Sequence, residues 1–157
     1  MRRMVVFMAA LLVLAVNGCA PQLDVEADEA AVKRTFDEAT AALNAGGGAI
    51  GDFNTKDAVM MFPDEPAVVG KEAISERNVK VFIGRFTSEE IRSVDEIVVS
   101  GDWAFVRWVG TGTLTPKNGG EPSEFNLKGI TIFQRQPDNS WKVARAIWNS
   151  NQPAASE

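Results

Sequence analysis

Few side chains in this chain can do chemistry. Histidine and tyrosine are both absent, and Cys19 is the only cysteine. The commonest general base, the commonest metal ligand and the phenolic donor are therefore missing together. A metal would need several convergent carboxylates, and the acidic residues fall mostly at helix-surface spacing, where solvation accounts for them. No catalytic residue, metal site or cofactor is assigned on this pattern. What remains is a group of aromatic, polar and charged residues within three consecutive β-type segments: Trp108 in the first, Glu124, Asn126, Lys128 and Ile130 in the second, and Trp148 in the third. Residues two apart on a strand share a face. Alternation puts Val106, Trp108 and Gly110, then Glu124, Asn126, Lys128, Ile130 and Ile132, then Ala144, Ala146 and Trp148 in one set. The other holds Trp103, Phe105, Arg107 and Val109, then Phe125, Leu127, Thr131 and Phe133, then Val143, Arg145, Ile147 and Asn149. Both sets are rich in apolar residues, so the sheet must be covered on both faces.

The elements that must position these residues are legible. From Val94 to Asn149 aromatic and β-branched residues fill long segments punctuated by turn clusters at Ser100-Gly101-Asp102, Pro116 to Pro122 and Pro137 to Ser140. That spacing predicts an antiparallel meander, entered by a strand over Thr87 to Val99 with Ile91, Ile97 and Val99 as its apolar members. Upstream, Val32, Phe36, Ala39 and Leu43 recur at i, i+4, i+7 and i+11, and acidic residues crowd the start, predicting a helix from about Asp24 to Leu43. The glycines at 46, 47, 48 and 51 leave room only for a short, poorly formed helix after it. A strand over Ala58 to Phe62 returns through Ala67 to Val69, and a second helix runs from Gly70 to Ile83, weakened by Val79 and Val81. The order is that of an α+β domain in which helices pack on a curled antiparallel sheet and leave an open-ended cone.

At 157 residues with 45% apolar content, one domain is expected over residues 25–151. Residues 1–18 are set apart: Arg2 and Arg3 precede the apolar run Met4 to Val16, the layout of a secretory signal. Val16-Asn17-Gly18-Cys19 resembles the bacterial lipobox, whose cysteine is acylated after the signal is removed. That resemblance implies a lipid anchor at Cys19, a short tether over 19–24, and a domain held close to the membrane, facing the periplasm. Ala20 beside the cysteine implies outer-membrane sorting in a Gram-negative cell. A single cysteine excludes an intramolecular disulfide. The formal charge of −5, made more acidic by loss of Arg2 and Arg3, argues against nucleic acid as a partner. Residues 152–157 read as a flexible tail.

Four stretches carry a further resemblance: NAG at 44–46, KDAVMMFPDEPAVVGKEAI at 56–74, VSGDWAFVRWVGTGTLTP at 99–116 and RQPDNSWKVARAIWNS at 135–150. Together they resemble the SnoaL-like, DUF4440 branch of the NTF2-like superfamily, which implies the α+β, cystatin-like cone. The superfamily's functions are scattered over isomerases, cyclases, dehydratases and interaction domains, so the site must decide. Its ketosteroid isomerases use a carboxylate base with a tyrosine and a protonated aspartate as oxyanion donors. On alignment of the quoted motifs those positions fall at Ala39 for the tyrosine, near Phe62 for the base and at or beside Ile130 for the aspartate. None can serve. The interior aromatic of the isomerases' last strand matches Trp148, which implies that the Trp108 set faces inward. Trp108, Asn126, Lys128, Ile130 and Trp148 would then line a cavity for a small, largely apolar ligand, with Lys128 available to an anionic group. The competing readings are core packing for each tryptophan and a snorkelling surface cation for Lys128. The outward set, with Trp103, Phe105, Val109, Phe133 and Ile147, implies a homodimer through the sheet. Two other functions stand beside ligand binding: an isomerase- or cyclase-type enzyme using Lys128 or Glu124, and an interaction module with a filled cone.

Overall fold

The computed structural model describes residues 24–152. The expected leader, Cys19 with residues 20–23 of the expected tether, and residues 153–157 lie outside them.

Helix α1 (Val25–Asn44) starts on Asp24, whose carboxylate accepts a hydrogen bond from the Ala27 amide at 3.0 Å, and Glu26 and Asp28 occupy its first turn. Its stripe of Val32, Phe36 and Ala39 is buried against the sheet, as the helical spacing predicts. Gly46 and Gly47 take positive φ and break the helix, and only a 3₁₀ turn at Ile50–Phe53 follows. Strand β1 (Asn54–Met61) opens earlier than Ala58, and β2 (Val68–Val69) returns antiparallel to it with Val59 opposite Val69. Helix α2 (Lys71–Asn78) passes into a π-helical turn at Val79–Ile83, where the β-branched residues disfavour a regular continuation. The meander follows as β3 (Phe86–Ser100), β4 (Trp103–Pro116), β5 (Ser123–Arg135) and β6 (Trp141–Ser150).

The six strands form one sheet in the order β2-β1-β6-β5-β4-β3. All neighbours are antiparallel except β1 and β6, which run parallel because α2 and the meander intervene between them. The curled sheet wraps the apolar face of α1, and Val32, Phe36, Ile74, Val106 and Phe133 are the largest side chains at the centre of the core. Arg135 at the end of β5 ties the helix down: its two terminal nitrogens donate to the two Asp28 oxygens, each at 2.6 Å.

Register corrects the expected facing of β5. Trp108 lies opposite Gly129, Val106 opposite Thr131 and Gly110 opposite Leu127, and directly paired residues share a face. The inner set on β5 is therefore Phe125, Leu127, Gly129, Thr131 and Phe133. Glu124, Asn126, Lys128, Ile130 and Ile132 belong to the outer face, with Val109 paired to Lys128 and Arg107 to Ile130. A one-residue slip exchanges the faces of a whole strand, and with apolar residues in both sets of β5 no alternation signal favours the right one. Within the meander, two bulges alter the phase of other strands. One between Ile132 and Phe133, opposite Arg145 and Val143, turns Val143 inward. The other, between Val94 and Glu96, leaves Ile97 and Val99 packed on the core but exposes Ile91 to 74%.

Candidate functional site: the chamber inside the cone

Between α1, α2 and the inner face of the sheet lies a cavity of about 310 Å³. Its wall is mostly hydrocarbon: Phe36, Ala39 and Leu43 from α1, Met60 and Phe62 from β1, Phe82 from the π-helical turn, and Trp108, Leu127, Phe133 and Trp148 from the meander. A volume at the lower end of small-molecule pockets, lined by aromatic and aliphatic groups with a few polar atoms, is the usual form of a ligand site.

Trp108 forms the floor. Its indole N–H donates to the Thr131 hydroxyl at 3.1 Å, and its ring tilts against Phe36 with centroids 6.1 Å apart. Two glycines let it lie flat. A Cβ on Gly129 would come within 2.6 Å of Trp108 Cζ2, and one on Gly110 within 3.1 Å of Cζ3. Trp148 closes another side, edge-on to Phe62 at 4.9 Å.

Besides the Thr131 hydroxyl, the polar groups of the chamber come from β1, α2 and β3. Glu90 is only 5% exposed, and both its oxygens are held by Arg92, Nε to Oε1 at 2.8 Å and Nη2 to Oε2 at 3.0 Å. The Arg92 guanidinium lies over the Trp108 ring at 4.6 Å and over Phe36 at 5.6 Å. Asn44, at the end of α1, fixes this part of β3 by donating to the Glu90 carbonyl at 2.7 Å and accepting from the Glu90 amide at 2.9 Å. Nearer the π-helical turn, Arg77 stacks on Phe62 at 3.7 Å and is paired through two nitrogens with Glu65. That guanidinium holds the Glu65 carboxyl below its ordinary value, chiefly by hydrogen bonding. Asn54, at the start of β1, lines the chamber and is 4% exposed.

Of the residues singled out from sequence, Trp108 and Trp148 meet in the chamber. Lys128, Ile130 and Asn126 do not line it: their strand positions point away, with Lys128 exposed and Ile130 half in solvent. The cations of the site are Arg92 and Arg77, and Lys128, expected to be available to an anionic group inside, shares the outer facing of Arg107. Glu124 is also exposed and outside the chamber. Ala39 and Phe62 are wall residues, so the positions matching the isomerases' tyrosine and base are inside but carry no acid-base group. Among the described residues no three Asp, Glu, His or Cys side chains converge to hold a metal ion. Glu90 and Arg92 escaped notice because Ile91 reads as the buried member of that strand. Only the bulge after Val94 reverses its phase.

Known proteins agree with this architecture. No curated protein matches the chain. A ketosteroid isomerase-like protein from Erwinia carotovora atroseptica is 28% identical and superposes with a TM-score of 0.74 over 80% of this chain and 98% of its own. A conserved protein from Planctomyces limnophilus is 25% identical, with a TM-score of 0.66 over 77% of this chain and 94% of its own. An NTF2-like superfamily protein from Salmonella enterica shares only 12% identity, yet its TM-score is 0.71 over 83% of this chain and 95% of its own, a likeness of fold alone. The sequence profile of the SnoaL-like domain matches residues 25–144, and the chain belongs to that family, on the NTF2-like fold.

Proposed function

We propose that this protein is a lipid-anchored receptor domain of the cell envelope, whose cone holds one small, largely apolar molecule without transforming it. The observation that carries the reading is the chamber: about 310 Å³ of space walled by aromatic and aliphatic side chains in the middle of the fold. A filled interaction module would pack that space, since interiors approach crystal density and voids larger than a water molecule are few. Anchoring is supported by the run from Arg2 to Cys19, and it would hold the cone beside a membrane where apolar molecules partition.

The second reading is an enzyme of the isomerase or cyclase kind, favoured by the 28% identical ketosteroid isomerase-like neighbour. Against it stands the chemistry of the wall. Glu90 is the only carboxylate among the chamber's lining residues, and both its oxygens are already engaged by Arg92 rather than turned to a substrate. Native mass spectrometry of the protein isolated from its own cells tests the receptor reading. The expected result is an added small-molecule mass that is lost on activation and absent from Trp108→Ala. Turnover of an unsaturated ketosteroid, abolished by Glu90→Gln, would favour the enzyme instead.

A further inference from the structure

The charges of the chamber are arranged in a way that narrows what it holds, given the receptor reading above. Each cation on its wall is matched by a carboxylate: Arg92 by Glu90, with side-chain exposures of 20% and 3%, and Arg77 by Glu65. An anion entering this space would gain Arg92 only by approaching the buried Glu90 carboxylate, and in a weakly polarisable interior that repulsion is strong. Hydrogen-bonding capacity is nonetheless left over. A guanidinium has five N–H donors, and the two bonds to Glu90 leave others on Arg92 without a carboxylate partner. The Asn54 amide, almost wholly buried, makes no side-chain hydrogen bond among the described residues and lines the same space.

We infer that the chamber is selective for a neutral, one- or two-ring molecule bearing a carbonyl or similar acceptor, which Arg92 anchors while Glu90 holds the guanidinium and excludes anions. Size points the same way: an apolar cavity of about 150 Å³ takes up benzene, and this one is about twice that. Glu90 is a positioning residue here. Gly110 keeps its place open, because a Cβ there would stand 2.7 Å from Glu90 Oε1.

Three probes of matched shape test this by titration calorimetry on the purified protein: 2-acetylnaphthalene, which is neutral with an acceptor; 2-ethylnaphthalene, which is neutral without one; and 2-naphthoate, which is anionic. The ketone should bind about tenfold more tightly than the hydrocarbon, the worth of one hydrogen bond to a charged donor, and more tightly than the carboxylate. Arg92→Met should erase the ratio between ketone and hydrocarbon. Glu90→Gln should reverse the order of ketone and carboxylate, a change that loss of packing alone would not produce. The wild-type ranking stands as a test even if a variant fails to fold. Tightest binding of 2-naphthoate to the wild type, or equal binding of ketone and hydrocarbon, overturns this inference and leaves the receptor reading in place. Binding of none of the three overturns both.

Discussion

Gly129 and Gly110 carry no chemistry, yet they decide where the Trp108 ring and the Glu90 carboxylate lie in the chamber. With a Cβ at residue 129 the Trp108 ring would have to move, because the Ile147 carbonyl oxygen, 2.8 Å from that Cβ, blocks the other side. Gly129→Ala should therefore cost about 1–3 kcal/mol, the usual penalty of overpacking a core, and shift tryptophan emission. A urea midpoint and spectrum equal to wild type would show that Trp108 is not held there. At this scale the sequence was half legible. Trp108 and Trp148 stand out as large aromatics in strand positions that face inward. Lys128 and Arg92 could not be told apart as inner or outer cations, because burial of a charge depends on its partner, and the partner Glu90 is recognisable only once the bulge at Asp95 is known.

Among elements, α1 is the lid and spine of the cone, and its two ends are fastened by different chemistry. At its start the Arg135 guanidinium, by hydrogen bonding first and charge second, holds the Asp28 carboxyl below its ordinary value. The folded state then binds protons less readily than the unfolded one. The pair stabilises fully above the ordinary carboxylate range, and that contribution is lost as pH falls through the lowered folded value. Asp28→Asn should lower the melting temperature at neutral pH, and the gap to wild type should close as the solution is acidified below the carboxylate range. A gap independent of pH would mean that the ion pair is not its source. At the other end Asn44 makes two bonds to the backbone of Glu90. Asn44→Ala should cost about 2 kcal/mol in chemical denaturation, and it should weaken binding of 2-acetylnaphthalene by loosening the strand that carries Arg92. Unchanged affinity would separate the helix end from the site. The elements themselves were far more legible than their phase: the helical stripe, the glycine break and the turn clusters are local signals. Strand facing in β3, β5 and β6 depends on two bulges and a loop register that only tertiary pairing sets.

For the whole molecule, the outer face of the sheet carries its own message. Val98, Trp103, Ile130 and Ile147 are each at least 39% exposed there, beside the half-buried Phe105 and Val109. Phe133, expected in that set, is instead fully buried in the core at 0%. We propose that a second copy covers this face, and Phe105→Glu should convert a dimer to a monomer in light scattering at micromolar concentration. A wild-type monomer would contradict the proposal. For the anchor, Cys19→Ser should move the protein from the membrane fraction to the soluble one, and an unacylated mass for the wild type would refute the lipid. No helix among the described residues is long and apolar enough to cross a membrane. The central claim is that the cone is a chamber for a ligand, and Ala39, a buried α1 residue on its wall, offers the most direct test. Ligand binding to the folded state alone raises the melting temperature. With 2-acetylnaphthalene the wild type should show such a rise, and Ala39→Phe, which puts a ring into the empty space, should show none while keeping the wild-type circular dichroism. An equal rise in both proteins would place the ligand outside the cone and contradict the account.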